Sequence, residues 1–318
     1  MIHFDSQTQI FSLQKAHSFY SAQVDAERRL IHVVWGPPPD KAGPGDTLRG
    51  AKDFAPYESE GTFLTQLRPD EILTFGDVTA HRVSLKASFP LLGRPLQPGE
   101  APHLPIRDLR LRYVSHSVVT EAQPGLAPSH GRPVRNSSPS ETLRVTISDP
   151  AQAFPVIACY RLTPEYDILE RWCELENLRS EFVKVEVCHF ASLHKPGQAD
   201  ALTYVSGTWA REFTPERVRL SPGTFVMESR SLQTGHATNP FFLLNGRGQA
   251  SEENGTVYFG QLAYSGSWQM AFEKLPSGSI RVHGGYNAAD FQMDLVDHPG
   301  MMAARRKGCG PDELVTII

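Results

Sequence analysis

The chain has 318 residues, with 31 Lys+Arg against 35 Asp+Glu, a formal net charge of −4 and 40% hydrophobic residues. That apolar fraction excludes a disordered polymer, because burying it can offset the entropy of ordering. The slight acidic balance excludes a generally basic nucleic-acid binder, and no run of about 18 apolar residues offers a membrane-spanning helix.

By length the chain makes one large domain or two ordinary ones. Its 25 Gly and 25 Pro imply many turns. The start, Met1-Ile2-His3-Phe4-Asp5, lacks a basic region followed by an apolar one, so no secretory signal is read and a cytoplasmic protein is expected. The cysteines are Cys159, Cys173, Cys188 and Cys309. None forms a Cys-x-x-Cys pair, which favours free thiols in a reducing compartment over a disulfide framework or a zinc site.

Along the chain, the first clear strand signal is Leu30-Ile31-His32-Val33-Val34-Trp35, stopped by Gly36-Pro37-Pro38-Pro39. Residues 37–62 are rich in Pro, Gly, Asp and Ser and read as a long loop, a length that is usually functional or disordered. Short strands are expected at 82–89, 109–119, 142–148, 154–162 and 182–190. Leu143, Val145 and Ile147 alternate with Arg144, Thr146 and Ser148, the period of a half-buried strand. Residues 91–105 and 123–139 are turn-rich connectors. Residues 168–178 fit a helix or a strand, and the strand-rich surroundings favour strand. Further strands are expected at 201–211, 224–231, 240–244, 255–265, 268–273 and 279–284, with a hairpin loop at 245–255. The sum is an all-β sandwich of large antiparallel sheets with few short helices.

Chemistry-bearing motifs are scarce. No G-x-x-x-x-G-K-[ST] or G-x-G-x-x-G opens a helix, and no H-E-x-x-H occurs. No cofactor and no metal is therefore expected. Gly246-Arg247-Gly248 and Ser265-Gly266-Ser267 read as turn residues, since no strand-to-helix pattern surrounds them. His236, in Thr234-Gly235-His236-Ala237-Thr238-Asn239-Pro240, fits a structural loop histidine and also a domain or subunit contact. Trp35, Trp172, Trp209 and Trp268 could stack on sugar rings. Each lies in or beside an expected strand, so core packing is the favoured role for all four.

Several segments in order resemble the N-terminal domain of glycoside hydrolase family 36, the α-galactosidases. Leu202–Arg211 (LTYVSGTWAR) is similar to the family's L-x-G-x-W-A-R strand, followed by Glu216-Arg217 and Leu220-Ser221-Pro222-Gly223. Glu228-Ser229-Arg230 through His236 to Asn239-Pro240-Phe241 resembles E-S-R-…-S-H-Q-H-N-P-F. Gly255-Thr256-Val257-Tyr258 with Tyr264-Ser265-Gly266, and Gly284–Leu295 (GGYNAADFQMDL), resemble G-E-V-Y-…-Y-S-G and G-I-N-P-x-D-F-x-W-x-L. Residues 30–36, Phe75-Gly76-Asp77 and the stretch 156–177, set against the family's Y-…-D-x-I-x-R-…-x-N strand pair, fit more loosely. The likeness spans nearly all of 25–295. Thr238, Ala288 and Met293 depart from the pattern, as a distant member would.

The resemblance implies a galactose-mutarotase-like β-supersandwich over 1–299, followed in family members by a catalytic (β/α)8 barrel. Retaining glycosidases need two carboxyl groups about 5–5.5 Å apart. The family's K-W-D barrel motif is missing here, and a barrel takes about 250 residues, so no catalytic residue is assigned. Residues 300–318 are expected to be an irregular tail, left by truncation or a frameshift. The implied work is domain packing, assembly of a homo-oligomer, and shaping the rim of an α-galactoside pocket. Asp53, Asp77, Trp209, His236 and Asn239 are the rim or interface candidates. A free-standing carbohydrate-binding module, with an exposed aromatic at Trp209 or Trp268, is the alternative. An enzyme with its site in this fold is the third reading, and no paired carboxylates at readable spacing support it.

Overall fold

The computed structural model describes residues 1–39, 69–77, 82–90, 105–121, 139–162, 167–189, 193–195, 199–246, 250–251, 253–275, 278–289, 291–295 and 315–317. The expected loop at 37–62, with Asp53, lies almost wholly outside them. Of the expected irregular stretch 300–318, only three residues are described, and they form a strand.

Strands are numbered in chain order. β1 (Ile2–Asp5), β2 (Ile10–Gln14), β3 (Phe19–Val24) and β4 (Leu30–Gly36) form an antiparallel meander. β5 (Leu85–Ser88), β10 (Val183–Cys188) and β19 (Met293–Leu295) make a three-stranded sheet in the order β19-β10-β5. β11 (Leu193–Lys195), β14 (Gly223–Glu228), β17 (Trp268–Lys274) and β18 (Ile280–Tyr286) make a second four-stranded sheet, ordered β11-β18-β17-β14. The remaining strands are β6 (Arg112–Glu121), β7 (Ser140–Asp149), β8 (Phe154–Leu162), β9 (Leu169–Leu175), β12 (Ala199–Thr208), β13 (Arg211–Arg219), β15 (Thr238–Gly246), β16 (Val257–Ala263) and β20 (Val315–Ile317). They form one nine-stranded sheet, ordered β13-β12-β15-β16-β20-β9-β8-β7-β6. The helical element among the described residues is one 3-10 turn at Phe75–Asp77.

The large sheet packs against the two four-stranded sheets through aromatic pairs. Tyr20 meets Tyr160 with ring centroids 5.7 Å apart, Trp35 meets Tyr258 at 4.9 Å, and Phe242 meets Phe272 at 5.1 Å. Alternation in β7 works as the sequence suggests: Leu143, Val145 and Ile147 are buried in the shared core. The ambiguous stretch 168–178 is strand β9, paired with β8 from Val156↔Leu175 to Leu162↔Leu169.

Of the N-terminal meander the sequence reading holds only β4, and it lacks β13. β1 to β3 are short and carry Ser, Gln and His between their apolar residues, which dilutes the period. β13 is exposed along almost its whole length. Pairing with β12 holds it, with no apolar stripe to announce it.

A polar network lies inside this sandwich. The Glu71 carboxylate accepts hydrogen bonds from Tyr20 Oη at 2.5 Å and Tyr160 Oη at 2.8 Å, and pairs with the Arg171 guanidinium. His32 Nδ1 lies 3.3 Å from the same carboxylate. Burial works against the charge on Glu71, but Arg171, His32 and Tyr20 outweigh it and hold the carboxyl below its usual range. Burial, with Glu71 alongside, pushes both phenols well above theirs, so they remain donors.

Candidate functional site

Three of the five expected rim residues come together at one end of the large sheet. β12 and β13 are joined by the two-residue turn Trp209-Ala210, closing on the pair Thr208↔Arg211. Ala210 takes φ +62°, a backbone state normally given to Gly or Asn. Its N–H donates to Glu212 Oε1 at 3.0 Å, which fixes the turn. Trp209 is thereby thrust outward and is 83% exposed.

The β14–β15 connection, residues 229–237, lies beside this tip. Gly207 N–H donates to Ala237 O at 3.2 Å. A Cβ on Gly207 would stand 2.5 Å from Arg211 O and 3.1 Å from His236 O, so only glycine allows strand and loop this close. His236 is exposed, and Asn239 is half-buried at the start of β15. The Asn239 side-chain amide nitrogen is buried without a hydrogen-bond partner. Leu232, on the loop, is 85% exposed, and Phe213, on β13, is 66% exposed. Trp209 and Phe213 give the β12–β13 hairpin two exposed aromatic side chains, and Leu232 is a third exposed apolar residue on the adjoining 229–237 loop.

The loop is anchored from below. Ser229 N–H donates to Trp268 O at 2.9 Å, Leu232 N–H to Ser267 Oγ at 3.1 Å, and Thr234 N–H to Ser265 O at 2.6 Å. Trp268 is fully buried and donates its indole N–H to Thr234 Oγ1 at 3.2 Å. Glu228 accepts from Gln269 Nε2 at 3.0 Å and Asn287 Nδ2 at 3.2 Å, and pairs with Arg230 at 2.8 Å. Burial opposes the Glu228 charge, but these donors win and hold the carboxyl below its usual range. Asn287 also donates to Ser229 O at 3.2 Å and accepts from Ala289 N–H at 2.9 Å. The sequence reading had assigned no role to Glu228, Gln269 or Asn287.

Asp53 lies outside the described residues. Asp77 ends the 3-10 turn, and the described structure brings it to neither Trp209 nor His236. Of the four tryptophans, Trp35, Trp172 and Trp268 are buried and pack in the interior, whereas Trp209 does not. The exposed-aromatic role considered for Trp268 is therefore corrected: its ring is sealed under the 229–237 loop. Among the described residues no three His, Cys, Asp or Glu side chains are grouped to hold a metal ion.

The carboxylate pairings found here are ion pairs and caps. Glu228 is satisfied by three neighbours, and no second carboxylate is described facing it across a cleft. The arrangement suits recognition or packing by an apolar, aromatic tip on a rigid two-sheet base.

Comparison with known proteins gives a consistent answer. Residues 29–296 match the model of the glycosyl hydrolase family 36 N-terminal domain. The chain is 26% identical over 297 residues to α-galactosidase AgaA of Geobacillus stearothermophilus, covering 91% of this chain and 38% of that protein. It is 33% identical over 166 residues to an α-galactosidase of Escherichia coli, covering 52% of this chain and 22% of that one. The crystal structure of the family 36 α-galactosidase AgaB from Geobacillus stearothermophilus shares its fold, with a TM-score of 0.76 at 21% identity. That match covers 100% of this chain and 40% of AgaB. The galactosidase domain of AgaSK gives a TM-score of 0.76 at 20% identity. The chain thus spans well under half the length of these relatives. With the family model covering most of its residues, the chain belongs to glycosyl hydrolase family 36, as that family's N-terminal domain.

Proposed function

We propose that this chain serves as the non-catalytic N-terminal domain of an α-galactosidase-like glycosidase. Its apolar tip packs against a catalytic (β/α)8 barrel or a neighbouring subunit at the rim of an α-galactoside pocket. The observation that carries this reading is the exposed triad Trp209, Phe213 and Leu232, built on a rigid base in a domain whose relatives extend far beyond it. Isolated exposed apolar residues are ordinary, but an aromatic tip this concentrated marks an interaction surface. The three described cysteines, Cys159, Cys173 and Cys188, are buried, and the sequence holds no Cys-x-x-Cys pair, a pattern that fits a reducing, cytoplasmic setting.

The test is an aryl α-galactoside assay on this chain alone and together with a family 36 barrel domain supplied as a separate polypeptide. The expected result is no turnover by the chain alone, and barrel binding that Trp209→Ala weakens by at least about tenfold. Turnover by the chain alone overturns the non-catalytic role. Barrel binding unaffected by Trp209→Ala overturns the assignment of the tip.

The second reading, a free-standing sugar-binding module, rests on the exposed Trp209 ring, whose flat face suits a pyranose. Trp209 is the exposed tryptophan of the four, so galactose or raffinose titration followed by tryptophan fluorescence reports on it directly. A saturating change favours the module, and a flat titration removes it.

A further inference from the structure

Among the described residues, Gln9, Arg28, Ala153, Ala210, Phe213 and Leu232 are the non-glycine residues with a positive φ, between +46° and +62°. That is the left-handed region, where a Cβ crowds the following carbonyl oxygen and a bulky side chain is uncommon. Such strain persists only where the surroundings enforce it, and it clusters at sites of function. Ala210, Phe213 and Leu232 all lie on the β12–β13 hairpin and the adjoining 229–237 loop. The last two are large apolar residues turned to solvent, Phe213 at 66% and Leu232 at 85% exposed.

At Gln9 and Arg28 the fold itself uses the strained residue's side chain. Gln9 Nε2 donates to Ser6 O at 2.7 Å, and Arg28 Nε and Nη2 donate to Tyr113 O at 3.2 and 2.8 Å. Phe213 and Leu232 do no such work: neither belongs to the buried core or to the apolar residues packed on it. Both are nevertheless clamped. The β12–β13 register shifts between Ser206↔Thr214 and Thr208↔Arg211, so Glu212 and Phe213 stand opposite Gly207 alone, a bulge. A Cβ on Gly207 would meet Glu212 Cα at 2.7 Å, so the bulge is tightly closed. Around Leu232, its own N–H donates to Ser267 Oγ at 3.1 Å, Ser231 Oγ donates to Gln233 O at 3.0 Å, and Thr234 N–H donates to Ser265 O at 2.6 Å. Both positions are held in a conformation that glycine takes at no steric cost.

We propose that Phe213 and Leu232 are recognition residues, kept against their backbone preference because their side chains enter the contact with the catalytic barrel. The inference rests on the docking reading given above and adds a trade to it: the domain alone is more stable with glycine at either position, and the complex is weaker. Neither core packing nor a side-chain hydrogen bond accounts for a phenylalanine and a leucine there. An exposed apolar side chain gains free energy only when a partner covers it. A backbone clamped beforehand fixes the direction in which that side chain projects, so less freedom is lost on docking. The barrel is the occupant that fits, because the match to AgaB takes up 100% of this chain and only 40% of AgaB. Most of that relative lies beyond this fold.

The experiment measures melting temperature and barrel affinity side by side on the full 318-residue chain and its variants. Phe213→Ala and Leu232→Ala keep the strain and lose the side chain, whereas Phe213→Gly and Leu232→Gly lose both. Each glycine variant is expected to melt about 2 °C above its alanine counterpart, the reverse of the usual order inside regular structure. All of them are expected to weaken binding to a separately supplied family 36 barrel at least about fivefold. Glycine variants that melt no higher than the alanine ones overturn the strain. At either position, unchanged affinity while Trp209→Ala weakens binding overturns that residue's role and leaves the docking reading standing. Unchanged affinity in Trp209→Ala as well removes the docking surface itself. An unmodified chain that does not bind the barrel overturns both.

Discussion

Arg171 of β9 and Glu71, 100 residues earlier in the chain, form an ion pair whose side chains are 3% and 0% exposed. Desolvating two charges is costly, and their attraction offsets that cost only when the remaining valences are filled. Here they are filled: Tyr20 and Tyr160 both donate to Glu71, and the guanidinium lies 5.0 Å from the Tyr160 ring centre. Removing one partner leaves a buried charge with nothing to balance it. Glu71→Gln and Arg171→Met are each expected to lower unfolding free energy by about 3–5 kcal/mol, measured by urea denaturation. A loss below about 1 kcal/mol in both would show that the pair behaves as a surface salt bridge does.

Acid sensitivity follows from four buried histidines. His32, His189, His194 and His283 are all at most 4% exposed. Burial, the largest cause for each, lowers their affinity for a proton, and for His189 the pKa falls from 6.5 to about 3. His189 Nε2 bonds Tyr286 O at 3.1 Å, so that nitrogen carries the hydrogen, and Nδ1 is buried without a partner. The unfolded chain therefore binds protons below about pH 6.5 that the folded chain refuses. Stability is full above about pH 6.5 and falls as pH drops towards 3, by up to about 1.4 kcal/mol per pH unit for each such ring. Glu71, held below its normal 4.5, steepens the fall in the carboxylate range. Melting temperatures should be level between about pH 8 and 7 and decline below about 6.5, with a shallower decline in His189→Gln. A melting temperature that rises on acidification would contradict the neutral state of these rings.

Legibility followed the hydrophobic period. β8 and its neighbour β7 carry clear apolar patterns and were readable nearly to the residue, because their side chains face a core on at least one side. β13 was not readable, since most of its residues face solvent and pairing with β12 holds it along most of its length, with side-chain anchors at Val218 and Arg219. Trp209 looked like a core residue because the turn that expels it is disguised: Ala210, not Gly or Asn, occupies the positive-φ position. The motif likeness found strand β12 and His236 together, but not Glu228 and Asn287 as support for the loop. Those two lie 59 residues apart and meet only through sheet registry. Glu71 was equally hidden, since nothing local distinguishes a carboxylate that meets its partner 100 positions later.

The two tryptophans of the candidate site should separate cleanly by mutation. Trp268 is fully buried, and its ring and indole N–H hold the 229–237 loop. Trp268→Ala is expected to cost about 3–5 kcal/mol and to expose the loop to proteolysis. Trp209, 83% exposed, should tolerate alanine within about 0.5 kcal/mol in this chain by itself. Thermal denaturation of both variants checks the contrast. Equal losses would mean that Trp209 packs inward and forms no part of a docking tip.

Gly207 tests whether the tip is positioned by the close approach of strand and loop. A Cβ there would lie 2.5 Å from Arg211 O and 2.7 Å from Glu212 Cα, both backbone atoms that no rotamer change can move aside. Gly207→Ala must therefore open the β12–β13 hairpin or push it off the 236–237 segment, at a cost of about 1–3 kcal/mol. Gly235 is the control on the same loop, because a Cβ there meets nothing within 4 Å and alanine should change stability by less than about 0.5 kcal/mol. The informative readout is the pairing of barrel affinity with stability. If the apolar tip is the docking surface, Gly207→Ala should weaken barrel binding even at temperatures where the fold is intact, because the hairpin that carries Trp209 shifts against the 236–237 segment. If Gly207→Ala lowers the melting temperature but leaves barrel affinity unchanged, the close approach serves only the fold and the docking surface lies elsewhere.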